Sequence, residues 1–397
     1  MSSQSASFAA AGSEHPLAAH AVGEVCGQLA DELGPGPPPD VIFTFVSGDH
    51  LASIETILRS VDALMRPRIA LGAASTGTLA GGRQVIGRAS LALWAARFGS
   101  SAELVAFDVT AAEGGLALGG TGPLVDAQGH LIVLGNPDTL PTRGFLQALA
   151  DRAPELTVLG GLVPPVGMPA APVLLEGTAV RSAGAFGLRL GDEVPVGTVV
   201  AQGCRPVGQP MTVTGVDGSR LTGVAGETPL VMIRRLAETL DPGDRELATR
   251  GLHLGVVTNE RRDSFGRGDF VVHDIAGADP ATGALALADP PTLGQLVQFQ
   301  VSDPASAEAD LDELLGLNAP ADAALVFSCV QRASGFFAPP MSDAAALCDT
   351  LETSAVAGLF CVGEIGPIGG GSRLHTLTAT AAVFGGPRRD RPAQAIA

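Results

Sequence analysis

The residues best equipped for chemistry stand where apolar runs end. Ala323 to Ser328 is a strand-length apolar run that closes on Cys329, with Arg332 three residues further on. A planar guanidinium at a strand end can grip a carboxylate through two parallel hydrogen bonds. Cys204 and Arg205, inside Gly203-Cys-Arg-Pro-Val-Gly208, repeat the cysteine-plus-arginine theme upstream. Glu364 ends another apolar run, and Gly366-Pro-Ile-Gly-Gly-Gly371 behind it predicts a loop of accessible amides into which the carboxylate points. Ser75 and Thr76, between Gly72 and Gly77, offer hydroxyls at a small-residue strand exit, and His375 sits in an apolar run beside Thr376 and Thr378. Opposite charges at strand ends suit a zwitterion, its carboxylate on Arg332 or Arg205 and its ammonium on Glu364. Each of these residues also has a plain structural role: an ion pair for either arginine, a loop cap for Glu364, a hydrogen-bonded core position for His375, and inert packed thiols.

Several chemistries are excluded. The chain contains no lysine and no tyrosine, which removes Schiff-base catalysis, a Walker lysine and a tyrosine acid or base. Cys26, Cys204, Cys329, Cys348 and Cys361 are scattered and odd in number, and the seven histidines are dispersed, so neither a disulfide framework nor metal-ligand spacing is present. No cofactor motif stands out. A cysteine enzyme with Cys329 or Cys204 as nucleophile and His375 as base is an alternative, but no nucleophile-elbow motif supports it. A net charge of −17 repels nucleic acid, and only Arg388, Arg389 and Arg391 cluster against it. No apolar stretch approaches the roughly 20 residues that cross a bilayer, and the first thirty residues lack a secretory signal, so a cytoplasmic protein is expected.

The elements that position these residues follow from length and repetition. At 397 residues, with 46% apolar and 16% charged residues and a mean hydropathy of +0.31, the chain is expected to form two domains. A pattern of strand, helix, strand, loop and further strand recurs three times, from Val41 to Ala95, from His130 to Leu190 and from Ala323 to Phe384. Such units predict a mixed α/β (α+β) fold, with mixed sheets built from β-α-β-β repeats and helices packed on the sheet faces. Between the second and third copies, a helix over Glu227 to Leu240 precedes alternating runs from Phe270 to Val301 that predict an antiparallel meander. The expected division is an N-terminal helix and Pro/Gly linker over 1–39, domains over 40–235 and 236–384, and a disordered tail over 385–397.

Three further pieces, in order, carry a resemblance: the strand ending in Cys329 and Arg332, the segment Gly358-Leu-Phe-Cys-Val-Gly-Glu364-Ile-Gly-Pro367, and Leu374-His375-Thr-Leu-Thr378. They resemble the C-terminal FIST domain, and Leu71 to Gly77, Val158 to Gly161 and Gln202 to Gly208 resemble its N-terminal companion. The family's strand continues C-x-x-R-G, whereas Ala333 stands at that glycine here. The resemblance implies a small-molecule sensory module of bacterial signalling, with an amino acid as the ligand and a separate downstream signalling protein as partner. A protein-interaction scaffold, docking through the N-terminal helix, is a further alternative.

Overall fold

A computed structural model describes residues 6–98, 102–112, 115–120, 124–287, 289–333, 336–337 and 342–386. Its main body is three six-stranded sheets, each built on one of the three sequence repeats. In every repeat a first strand pairs in parallel with a second across a helix, and a later strand returns antiparallel on the first strand's other side. The parallel pairs are Val41–Ser47 with Ile69–Ser75, Gly129–Gly135 with Leu156–Leu162, and Ala323–Cys329 with Val356–Cys361. The returning strands are Ser90–Arg97, Ala185–Leu190 and Thr378–Phe384. One more strand flanks each return: Ser7–Ser13, Ala102–Phe107 and Val196–Gln202.

The other edge of each sheet is completed by a different repeat. The hairpin that follows the first repeat's second strand, Gly77–Ala80 with Arg83–Ile86, pairs with the third repeat's Val356–Cys361. The second repeat's hairpin, Leu174–Glu176 with Ala179–Arg181, pairs with Ile69–Ser75 of the first. The third repeat's hairpin, Gly363–Ile368 with Gly371–His375, pairs with Leu156–Leu162 of the second. The exchange is cyclic, and it gives the body pseudo-threefold symmetry. Gly72, Gly160 and Gly358 mark equivalent positions: at each, a Cβ would lie 1.9 Å from the neighbouring strand's carbonyl oxygen, on Thr44, Val133 and Val326 respectively.

The inner faces of the three sheets meet in one core that includes Phe43, Phe45, Trp94, Phe186, Phe327 and Phe384, all essentially fully buried. Burial of each such side chain contributes roughly 1.5–3 kcal/mol. The outer faces are covered by helices. Ala18–Leu33 and Ile54–Met65 lie on the first sheet, Thr142–Arg152 on the second, and Pro304–Gly316 with Asp343–Leu351 on the third. The N-terminal helix buries Ala21, Val22, Val25, Cys26, Leu29 and Leu33, so its apolar face is covered from within and is not a free docking surface.

A second unit is inserted between Val196–Gln202, the edge strand of the third sheet, and the third repeat. Between Val196–Gln202 and Pro304–Gly316 the chain forms a closed six-stranded barrel, in the order Leu296–Ser302, Met211–Asp217, Arg220–Val224, Leu285–Leu287, Phe270–Ala278, Leu252–Val257 and back to Leu296–Ser302. The expected meander is thus part of a barrel that also recruits strands before the helix Pro229–Thr239. That helix spans position 235, and strands from both sides of it share sheets. Two other local readings change. The apolar run that holds His375 and Thr378 breaks at Leu377, whose φ is +53°, so that the two residues lie in different sheets. Ser7–Ser13, an edge strand of the first sheet, was not expected. In the expected tail, residues 387–397 lie outside the described residues.

Candidate functional site

Strand alternation dictates what caps the central core. Side chains two residues apart share a face, so the inward rows Val41, Phe43, Phe45 and Leu325, Phe327 continue to Ser47 and Cys329 at the strand ends. By the same count Ser75, Ser90, Asn136, Cys361 and Thr378 end the inward rows of their own strands. The apolar core is therefore closed at one end by small hydroxyls, an amide and thiols. Glu364, paired with Gly161 in the second sheet, joins this layer.

The third repeat holds its charged part. Glu364 is fully buried, and its Oε2 accepts a 3.3 Å hydrogen bond from the Thr378 amide, whereas Oε1 has no partner. Burial raises its pKa well above the carboxylate range. The Thr378 amide, the Cys329 thiol and the Arg332 charge only partly counter that rise, so burial shifts the group toward its neutral form. Contrary to the expected loop, Glu364 lies inside a strand with His375 opposite on one side, and only Gly369 and Gly370 turn. Gly366 is a packing position whose Cβ would lie 2.6 Å from Val200.

Arg332 sits in a single turn of 3-10 helix, Val330–Arg332, that follows Cys329. Its guanidinium is fully buried and forms a bidentate pair with Asp343, at 2.7 and 3.1 Å, and Asp343 also accepts from Ser328 Oγ at 2.6 Å. Burial disfavours the charge, yet the Asp343 partnership outweighs it and holds Arg332 protonated. The rings of Phe336 and Phe337 lie 5.6 and 5.0 Å from the guanidinium carbon. Nη1 has no partner, and at Gly203 a Cβ would come within 3.1 Å of it. Gly203 thus lets the chain leading into the barrel lie directly against the arginine.

The barrel fixes this arrangement from the other side. Asp274 accepts hydrogen bonds from His253 at 2.8 Å, Thr376 at 2.8 Å and Gln331 at 3.0 Å. It thereby ties the barrel to the residue before Arg332 and to the bend that separates His375 from Thr378. Cys204, Val257, Phe270, Val272 and Leu377 form the apolar packing beside it.

The other expected residues take different places. Arg205 is held by Asp244 and by Asp303, the latter at 2.6 Å, and is committed to that network. Ser75 donates to the Phe360 carbonyl at 2.7 Å, joining the first and third repeats, and Thr76 is exposed. His375 is buried, and its Nε2 donates to the Gly366 carbonyl at 3.0 Å. Burial lowers its pKa to about 4, leaving a neutral ring. Burial also pushes the Cys204 thiol up to about 12 and raises Cys329 and Cys361, the nearby Glu364 adding to the rise in those two. Such thiols stay protonated and are poor nucleophiles. Asp343, Asp274, Gly203 and the two phenylalanines were missed. Ser342 caps the helix Asp343–Leu351, accepting from the Ala345 amide.

Among the described residues no group of three or more His, Cys, Asp or Glu side chains could hold a metal ion, and no helix is long and apolar enough to cross a membrane. Residues 40–227 match the FIST N domain and residues 233–367 the FIST C domain. The chain is similar to an uncharacterized protein of Mycobacterium tuberculosis, at 32% identity over 376 residues, 93% of this chain and 97% of the relative. It is likewise similar to an uncharacterized protein of Mycobacterium bovis, at 33% identity over 374 residues, 93% of this chain and 96% of the relative. FIST domains are associated with sensory and signal-transduction roles. With both domains matched over most of its length, and with the motif residues Cys329, Arg332, Glu364 and Thr378 gathered at one end of the core, the chain belongs to the FIST family.

Proposed function

We propose that the protein is a small-ligand sensor and that its ligand, a compact zwitterion such as an amino acid, is held between Glu364 and Arg332. The observation that carries this reading is the pair of orphaned buried atoms, Glu364 Oε1 and Arg332 Nη1, in one fully buried group of interacting residues. An unsatisfied buried polar atom costs about 1–3 kcal/mol, and more when charged, so two together favour a ligand that satisfies both. Arg332 keeps one free edge for an acceptor because Asp343 occupies the other. Burial favours the protonated form of Glu364, and a ligand ammonium beside it would favour the carboxylate instead, so binding would be accompanied by proton release to solvent. Signalling output would pass to a separate downstream protein. The raised thiol pKa values argue against the cysteine-enzyme reading.

The test is thermal unfolding against a panel of amino acids and common metabolites, followed by calorimetry in buffers of different ionisation enthalpy. A ligand at a hundred times its Kd adds about 2.7 kcal/mol to the native state. The expected result is one stabilising compound whose effect disappears in Glu364→Gln while the variant stays folded. Absence of any stabilising compound across the panel overturns the reading.

A further inference from the structure

The first repeat carries a counterpart of the charged site, and it opens onto a cleft. Relative to the equivalent glycines Gly72 and Gly358, Ser47 corresponds to Cys329, Ser90 to Thr378, Thr78 to Glu364 and His50 to Arg332. His50 is 1% exposed, and its Nε2 has no partner, as Arg332 Nη1 has none. Where the third repeat leads into the barrel, the first repeat has only a short connection, Glu14 to Leu17, before its helix. A partly open cleft of about 80 Å³ remains there, lined by Gly12, Ser13, Glu14, Thr78, Arg83 and Ser90 among others.

The hydrogen bonds around this cleft run in one direction. Ser47 donates its only hydroxyl hydrogen to the Arg88 carbonyl at 2.8 Å. The 2.6 Å contact between Ser47 and Ser90 must then be donated by Ser90, and the 2.8 Å contact between Ser90 and Thr78 must be donated by Thr78. Ser13 donates its hydrogen to Glu24. All three lining hydroxyls, each more than nine-tenths buried, thus have their hydrogens committed to the protein and retain only lone pairs for the cleft. Glu14 adds a carboxylate. Arg83, itself part of the lining, and Arg88 reach it at 2.7 and 2.8 Å through side chains that are 78% and 71% exposed. Apart from the Arg83 guanidinium, the named polar side chains of the cleft present acceptors, which suits a compact hydrogen-bond donor.

We infer that this cleft is a second ligand site, independent of the Glu364 site, that takes a primary ammonium group through Glu14, Thr78 and Ser90. A cation without N–H donors does not satisfy the lone pairs and is rejected.

The experiment titrates methylammonium chloride into the full-length protein, with tetramethylammonium chloride as the donor-free control, and follows binding by ligand-observed NMR. Methylammonium is expected to bind and tetramethylammonium not. Glu14→Gln and Thr78→Val should each weaken binding at least about tenfold. Thr78→Ser restores the lone pair and should restore binding, which separates recognition from a folding defect. Glu364→Gln should leave it unchanged. The inference is overturned if the folded protein does not bind methylammonium, if tetramethylammonium binds equally, or if binding survives Glu14→Gln and Thr78→Val. Loss in Glu364→Gln alone assigns the cation to the third repeat and overturns it as well.

Discussion

Replacing Asp343 with asparagine should destabilise the protein more than almost any other single isosteric change. Arg332 and Asp343 have side-chain exposures of 0% and 1%, and Asp343 is the one carboxylate in hydrogen-bonding contact with that guanidinium among the described residues. The change keeps the shape and removes the charge, leaving a buried cation without its carboxylate partner. Removing one partner of a buried pair costs about 3–5 kcal/mol, which is two to three and a half powers of ten in the folding equilibrium. Urea unfolding followed by Trp94 fluorescence measures this directly, since the chain has a single tryptophan and it lies in the three-sheet core. The double variant Arg332→Met with Asp343→Leu is the decisive control, because apolar replacement of a whole buried pair is often close to neutral. It should recover most of the loss while abolishing ligand stabilisation. A cost under about 1 kcal/mol for Asp343→Asn, or a double variant as unstable as the single one, would refute the reasoning.

Three other outcomes follow from the same chemistry. Glu364 has a folded pKa raised above its unfolded value near 4.3, so its contribution is complete below that pH and is lost as pH rises toward the folded value. Relative to Glu364→Gln, wild-type stability should therefore fall by up to about 1.4 kcal/mol per pH unit above pH 4.3 in urea unfolding. His375 acts in the opposite sense. Its pKa drops to about 4 on folding, so wild-type protein should lose about 3 kcal/mol relative to His375→Gln as pH falls from 6.5 to 4. Finally, alkylation of native protein followed by peptide mapping should label Cys348 first, since it alone among the five thiols is not buried, with the rest labelled only after unfolding.

The three repeats were legible because each carries its own apolar strand, helix and strand, and local periodicity reports local structure. The hairpin exchange was not legible, because pairing between Gly77–Ala80 and Val356–Cys361 is decided by tertiary contacts that leave no periodic trace. The same distinction separates the site residues. Glu364 and Arg332 were visible as charges ending apolar runs, which few side chains tolerate without a reason. Asp343 was not, since an acid in the first turn of a helix is commonplace, and only the fold brings it to Arg332. The glycines after Glu364 misled in the reverse direction. They read as an open loop but serve close packing and one tight turn.

The cyclic exchange of hairpins bears on how a message leaves such a molecule. Every sheet is hydrogen-bonded over three residue pairs to a hairpin borrowed from another repeat, so no repeat can swing without opening a ladder. Occupancy of the core's polar end cannot be reported by a hinge within this body. What remains free to respond is the inserted barrel, joined there through Asp274, Gln331 and Thr376.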